Sequence, residues 1–111
     1  MNKIFILYVL LIASLHSNGQ SAESFLKLGN TKEEKGEYTG AISNYDTAIK
    51  MNPKFAIAYI NRGYSKNNLK DYTGALADYN KAIELNPKLS GAYNNRGATK
   101  NILKVTPQNN I

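Results

Sequence analysis

Asparagine is the polar side chain that recurs most regularly along this sequence. Asn30, Asn61 and Asn95 lie in successive segments, and further asparagines accompany them at neighbouring positions. A side-chain amide offers both hydrogen-bond donors and an acceptor, which suits the backbone of an extended peptide. We therefore consider a peptide-binding face, with a solvated polar face as the alternative. Binding requires that the elements carrying these residues place them side by side.

Other reactive side chains are scarce. Cysteine is absent, and His16 is the single histidine in the 111 residues. His16 follows an apolar N-terminal segment, where a catalytic or metal-binding role is not expected. No nucleophile is paired with a base, no phosphate-binding loop is present, and the acids are scattered. We expect no enzyme activity, no catalytic residue, no metal site and no cofactor.

The chain is basic, with 14 Lys and Arg against 8 Asp and Glu and a net charge of +6. The positive residues are spread along the sequence, whereas nucleic-acid-binding proteins usually concentrate them in a patch. We therefore expect no specific nucleic-acid partner, and these side chains are expected to solvate helix surfaces. Weak binding to RNA would be nonspecific and would fall steeply with salt.

Residues 1–19 are typical of a secretory signal peptide. Lys3 precedes an apolar run, Ile4 to Ala13, which is too short for a stable membrane span. Ser17 and Gly19 are small residues suited to a signal peptidase, and cleavage is expected after Gly19 or Gln20. The sequence leaves an uncleaved anchor and an ordinary N-terminal helix as alternatives. We expect the mature chain to be exported, either periplasmic or secreted.

The rest of the chain repeats itself at a fixed period. A shift by one period aligns Gly29 with Gly63 and Gly63 with Gly97, and it aligns Tyr45 with Tyr79. It also superimposes the tyrosines, glycines, alanines and Asn-Pro pairs that surround them. A fixed period of this length is the signature of a stacked repeat architecture.

Each repeat unit reads as two helices joined by a tight turn. Apolar residues recur at helical spacing, and no segment alternates with the period of a strand. Unit 1 covers 22–55, unit 2 covers 56–89, and unit 3 covers 90–104 and stops after its first helix. The predicted domain therefore spans 22–104, followed by a disordered tail at 105–111 with Pro107.

Small residues in phase indicate where the helices meet. Glycine inside a helix costs about 1 kcal/mol relative to alanine, so its recurrence at one phase suggests close backbone approach. We expect the aromatic and apolar side chains in phase with these glycines to be buried. They are Phe25, Leu28, Tyr45, Tyr59, Tyr79 and Tyr93.

These residues resemble the tetratricopeptide repeat (TPR), in the subtype that reads Asn-Arg-Gly. The resemblance covers 22–104. It implies an all-α fold, a right-handed superhelical array of antiparallel helix pairs, with about two and a half repeats here. It also implies a concave groove, lined by the first helix of each pair, that binds a protein or peptide.

Two departures from the family pattern recur. Arg62 and Arg96 stand where a leucine is usual, and Lys32, Lys66 and Lys100 stand where a tyrosine is usual. We expect these basic groups to pair with acids on neighbouring second helices, such as Asp46 and Asp78, with ligand contact as the alternative.

The phase of the first helices then gives the candidate groove residues. They are Lys27, Asn30, Ile60, Asn61, Tyr64, Asn68, Asn94, Asn95 and Asn101. Some family members clamp a C-terminal carboxylate with lysine, asparagine and arginine from this face. Asn30 and Asn61 match two asparagines of that clamp, but Leu26, Gly91 and Asn95 replace its basic residues, so we do not carry its ligand over.

Two functions remain. The first is an exported module that mediates protein–protein or protein–peptide interaction through the groove, with a ligand of unknown identity. The alternative is a structural or degenerate repeat fragment that self-associates through its uncapped last helix. That helix would leave Ile102, Leu103 and Val105 exposed.

Overall fold

The computed structural model describes residues 21–105, and within them it contains five α-helices and no strand. The helices are α1 (Ala22–Glu34), α2 (Tyr38–Met51), α3 (Ala56–Asn68), α4 (Tyr72–Leu85) and α5 (Ser90–Val105). Short connections join helices that pack against each other, which makes the pairs antiparallel. The predicted all-α solenoid is confirmed.

The predicted domain, 22–104, lies within the described residues, whereas most of the segments predicted on either side of it do not. The predicted signal peptide, 1–19, lies outside them, as do residues 106–111 of the predicted tail. Helix α5 ends at Val105, one residue beyond the predicted boundary of unit 3.

Local sequence explains where the helices begin and end. Ser21 caps α1 in a capping box. The Ser21 hydroxyl accepts from the Ser24 backbone amide at 3.2 Å, and the Ser24 hydroxyl accepts from the Ser21 backbone amide at 3.0 Å. After α1, Gly36 takes a left-handed conformation with φ of 76°. Lys70 takes the same conformation after α3, with φ of 68°, although left-handed backbone costs a non-glycine residue about 1–2 kcal/mol.

The core follows the repeat in the second helices, which bury the same three phases in both complete units. The buried alanines and tyrosines are Ala22 of α1, Ala41, Tyr45 and Ala48 of α2, Ala58 and Tyr59 of α3, Ala75, Tyr79 and Ala82 of α4, and Ala92 of α5. A Cβ atom on Gly63 would lie 2.8 Å from Cε1 of Tyr79, and one on Gly29 would overlap the ring of Tyr45. Both glycines therefore allow the close helix contact that their phase predicts.

Two of the apolar residues expected in the core are exposed, and that part of the prediction is wrong. Leu28 is 50% exposed and Tyr93 is 40% exposed. Each lies on a terminal helix of the stack. Among residues 21–105, no helix precedes α1 and none follows α5 to cover these side chains. The end of α5 is partly covered, since Ile102 and Leu103 are half-buried and Val105 is exposed.

The stack is curved. Helix α3 contacts both α1 and α5, whereas no comparable contact joins α2 to α4. Elements on the inner side of a curved stack lie closer together than those on the outer side. The first helices therefore line the concave face, as the resemblance implies.

Candidate functional site

The centre of the concave face is an amide pair that joins units 1 and 2. Nδ2 of Asn61 donates to Oδ1 of Asn30 at 2.9 Å. This contact brings together two of the predicted groove residues from adjacent first helices. It also fixes the orientation of both amides, because Asn61 engages its NH₂ group and Asn30 engages its oxygen in this bond. Within residues 21–105, Nδ2 of Asn30 and Oδ1 of Asn61 make no further hydrogen bond, so a donor and an acceptor remain.

A buried tyrosine holds this pair from behind. The Tyr45 hydroxyl donates toward Oδ1 of Asn30 at 2.8 Å and toward Oε1 of Glu33 at 3.0 Å. Burial, followed by the nearby charge of Glu33, raises the pKa of Tyr45 far above its ordinary value. The hydroxyl therefore stays protonated and remains a donor. It anchors Asn30 at the concave face without itself facing a ligand.

A second set of polar contacts sets the distance between units. The Ser65 hydroxyl donates to Oε1 of Glu33 at 3.1 Å, and the Thr99 hydroxyl donates to Oδ1 of Asn67 at 2.7 Å. Ser65 and Thr99 are both buried. The two bonds are equivalent, because each runs from a first helix to the preceding first helix with the same separation in sequence. We call them the seam.

Sequence reasoning missed the seam, although a signal for it existed. A shift by one repeat period places Ser65 on Thr99 and Glu33 on Asn67. A hydroxyl and a side-chain acceptor therefore recur in phase on the same helices. The period identifies equivalent residues, but it does not show that one contacts the other across the unit boundary.

The remaining predicted groove residues differ in how accessible they are. Lys27, Tyr64, Asn68, Asn94 and Asn101 are exposed, whereas Ile60 and Asn95 are half-buried. Ile60 packs against the hydrophobic cluster of Tyr59, Ala82 and Ala92, which leaves only part of it accessible. Nδ2 of Asn68 donates to the Tyr64 carbonyl at 2.9 Å, so this amide is engaged within its own helix. Tyr64 is 43% exposed beside the amide pair.

The expected pairing with acids is confirmed for Arg62 and Lys66. It is wrong for the other three basic residues, since within residues 21–105 Arg96 bonds to Asn80 and neither Lys32 nor Lys100 forms an ion pair.

Nε and Nη2 of Arg62 contact Asp78 at 2.9 and 2.7 Å, and its Nη1 contacts Asp46 at 2.8 Å. The hydrogen bonds with Asp78 are the largest cause that raises the pKa of Arg62. Lys66 also reaches Asp78, at 3.2 Å. Asp78 is only 4% exposed, so these basic residues hold α2, α3 and α4 together and do not face a ligand.

Metal-binding clusters and membrane spans are both absent from the described part of the chain. Residues 21–105 contain no group of three or more His, Cys, Asp or Glu side chains placed to hold a metal ion. None of the helices from α1 to α5 combines the length and the apolar character that crossing a membrane requires.

Comparison with known proteins agrees with this geometry. The family model described as "Tetratricopeptide repeat" matches residues 26–90. Comparison with curated proteins gives no significant match.

Solved structures of similar fold include several TPR domains. The first TPR of Spaghetti (RPAP3), bound to the HSP90 peptide SRMEEVD, is 30% identical with a TM-score of 0.74, and the likeness covers 77% of this chain and 68% of that one. The Arabidopsis OM64 TPR domain is 29% identical with a TM-score of 0.74, covering 78% and 71%. The TPR2B domain of yeast Sti1, in its pHsp70 complex, is 31% identical with a TM-score of 0.74, covering 75% and 66%.

Proposed function

Because this chain belongs to the tetratricopeptide repeat family, we propose that its concave face binds an extended segment of a partner protein. The observation that carries the proposal is the Asn61–Asn30 hydrogen bond of 2.9 Å. It fixes one free amide donor and one free amide acceptor on adjacent first helices. Donors and acceptors fixed in this way can pair with the backbone of an extended peptide without losing further side-chain entropy.

The neighbouring side chains suit such a ligand. Tyr64 is exposed beside the amide pair and offers a flat apolar contact. Lys27 on α1 and Asn94 and Asn101 on α5 add polar groups along the same line of first helices. The proposed ligand is therefore a polar extended segment, contacted through its backbone by amides and through one side chain by Tyr64.

Two of the similar structures support peptide binding as a function of this fold. One is bound to the HSP90 peptide SRMEEVD, and another is in complex with pHsp70. We propose a different ligand for this chain, since Leu26, Gly91 and Asn95 replace the basic residues of the carboxylate clamp. Isothermal titration with SRMEEVD should give no measurable binding, and micromolar binding would restore the clamp as the function.

A photo-crosslinking experiment tests the groove itself. A photoreactive phenylalanine replaces Tyr64 on the concave face or, as the control, Thr73 on α4. The expected result is an adduct of defined mass in the native compartment from position 64 and none from position 73. The double substitution Asn61→Ala with Asn95→Ala should abolish the adduct and leave helicity unchanged.

The matched control for the double substitution is Asn68→Ala. The Asn68 amide bonds within its own helix, so its loss should not change the yield of the adduct. Equal yields from positions 64 and 73, or an adduct that survives the double substitution, would contradict the groove assignment.

We also propose that the chain acts outside the cytoplasm, on the evidence of residues 1–19 alone. Mass spectrometry of the protein from fractionated cells tests this. The expected species begins at Gln20 or Ser21 and is found in the periplasmic or secreted fraction. A cytoplasmic protein that retains Met1 would contradict export.

Self-association through α5 is the competing function. The exposure of Tyr93 favours it, but the same face carries Arg96 and Lys100, and two copies would bring these like charges together. We expect sedimentation at micromolar concentration to show a monomer. A dimer whose population rises with concentration would favour this function over the groove.

A further inference from the structure

Helix α5 repeats the surface with which α3 binds α4. Tyr93, Arg96, Gly97 and Lys100 each follow Tyr59, Arg62, Gly63 and Lys66 by one repeat period; we call the four residues of α5 the end face. On α3 the corresponding surface is covered by α4.

On α5, no helix of the described chain covers the end face. A Cβ atom on Gly97 would meet no atom within 4 Å, whereas one on Gly63 would meet the Tyr79 ring at 2.8 Å. Tyr93 is 40% exposed, whereas Tyr59 is 9% exposed. The end face therefore leaves open the space that an aromatic ring fills in unit 2.

The guanidinium of Arg96 is already held in the position that Arg62 occupies. Its central carbon lies 5.2 Å from the Tyr93 ring centroid, and the corresponding distance for Arg62 over Tyr59 is 5.4 Å. Its Nη1 donates to Oδ1 of Asn80 at 3.0 Å, which is equivalent to the Arg62 bond with Asp46. Arg96 is thus fixed on one side by its own unit and by α4.

The other side of this guanidinium is unused. In Arg62, Nε and Nη2 form the two-point contact with the Asp78 carboxylate. In Arg96 these two atoms have no hydrogen-bond partner among residues 21–105. A fork of two donors held in place selects a carboxylate, because both oxygens can accept in one plane.

We propose that the end face binds an acidic amphipathic helix of another protein, which places a carboxylate on Arg96 and an aromatic ring against Gly97. Helix α4 shows the pattern that this surface accepts. Ala75, Asp78, Tyr79 and Ala82 are its buried contacts, so the partner helix carries small, acidic, aromatic and small residues at that spacing. This site is separate from the concave face.

Charge argues for this occupant over two others. Residues 106–111, TPQNNI, contain neither Asp nor Glu and cannot supply a side-chain carboxylate. A second copy docking through the same surface would bring Arg96 and Lys100 against themselves, which is unfavourable. An acidic helix instead complements both basic groups, as Asp78 complements Arg62 and Lys66.

The probe is a synthetic peptide with the sequence of residues 71–89, which includes α4. It is stapled on its outer side so that it is helical when free, since a helix of this length is marginal in water. Circular dichroism verifies its helicity, and fluorescence anisotropy measures its binding to the full chain. Binding in the micromolar range supports the proposal, and a verified helix that fails to bind at about 1 mM overturns it.

Charge reversal then tests the contact. Arg96→Glu should weaken binding at least about tenfold, and so should Asp78→Lys in the peptide. The two reversed partners together should recover part of the lost affinity. Equal affinity for the unchanged chain and Arg96→Glu would overturn the proposal.

Two further variants locate the site. Gly97→Leu should abolish binding while leaving the melting temperature unchanged or higher, because the added side chain enters open space. Asn61→Ala with Asn95→Ala should leave peptide binding intact. If the groove substitutions abolish binding and Gly97→Leu does not, the peptide occupies the concave face and the end-face site is wrong.

Discussion

Helices α3 and α5 carry the same packing residues but differ in what those residues do. On α3, Gly63 lies against the Tyr79 ring and Arg62 grips Asp78. On α5, a Cβ atom on Gly97 would meet no atom within 4 Å, and among residues 21–105 Arg96 hydrogen-bonds to the exposed Asn80 alone. The difference shows that this surface packs inside the fold when a second helix covers it and is open to a partner when none does.

Unit 1 gives the converse case, in which the second helix is present but the arginine is not. Leu28 stands at the position of Arg62, and Asn44 stands at the position of Asp78. Oδ1 of Asn44 is buried and has no hydrogen-bond partner in residues 21–105. Leu28 has no donor to offer it. In unit 2, by contrast, Arg62 supplies the hydrogen bonds that the buried side chain of Asp78 requires.

The largest expected effect comes from filling the two glycines. Gly63→Leu forces the Leu side chain into the Tyr79 ring and should destabilise the fold by at least about 3 kcal/mol. A Cβ atom at position 97 meets no atom of residues 21–105 within 4 Å, and Gly97→Leu replaces a poor helix former, so it should stabilise α5 by about 0.5–1 kcal/mol.

Circular dichroism and thermal unfolding of the two variants, measured in parallel, check this pair. A Gly63→Leu protein that melts like the unchanged chain would show that the helix contact at Gly63 is not close. An equal loss in both variants would show that the two surfaces do not differ.

The second effect concerns the two arginines. Arg62→Leu leaves the buried Asp78 with Lys66 as its remaining partner and should cost about 3 kcal/mol. Arg96→Leu removes an exposed bond and should cost less than about 1 kcal/mol. Adding Asp78→Asn to Arg62→Leu restores the combination found in unit 1 and should recover part of the loss. Urea unfolding measures all three, and equal costs at the two arginines would contradict the comparison.

The smallest effect is a dependence on alkaline pH that the second helices confer. Burial raises the pKa of Tyr79 to about 12 from its ordinary 10.0, and the pKa of Tyr45 is raised as well. The unfolded chain releases these protons first, so the stabilisation is complete below pH 10 and is lost as the pH rises from 10 through 12. Tyr79→Phe should reduce this loss. Unfolding free energies that stay constant from pH 9 to 11.5 would contradict it.

Most of this architecture could be predicted from the sequence, because the repeat period shows which residues occupy equivalent positions in successive units. The repeat period locates the helices, the glycine contacts and the pairing of Arg62 with two aspartates. It predicts α1 and α5 less well, since a terminal unit has the repeat sequence without the repeat neighbours. For this reason the period places Leu28 and Tyr93 in the core, although both are exposed.

The candidate site was less accessible to sequence reasoning than the fold. Helical phase places Asn30 and Asn61 on one face, but it does not show that they bond to each other or that Tyr45 holds them. Helical phase also places Ile60 and Asn68 in the groove. In the structure Ile60 packs against the hydrophobic cluster, and Asn68 hydrogen-bonds within its own helix. The identity of a ligand depends on contacts that the repeat does not encode.

Native-state hydrogen exchange tests most directly the claim that covering by a second helix distinguishes α3 from α5. Amides near Gly63 and those near Gly97 have similar local sequence context, so their exchange rates compare the two environments. We predict that the amides around Gly97 exchange at least about tenfold faster, because α5 can open without disturbing a helix on its far side. Equal protection at the two positions would contradict the account, since it would mean that the end face is already covered.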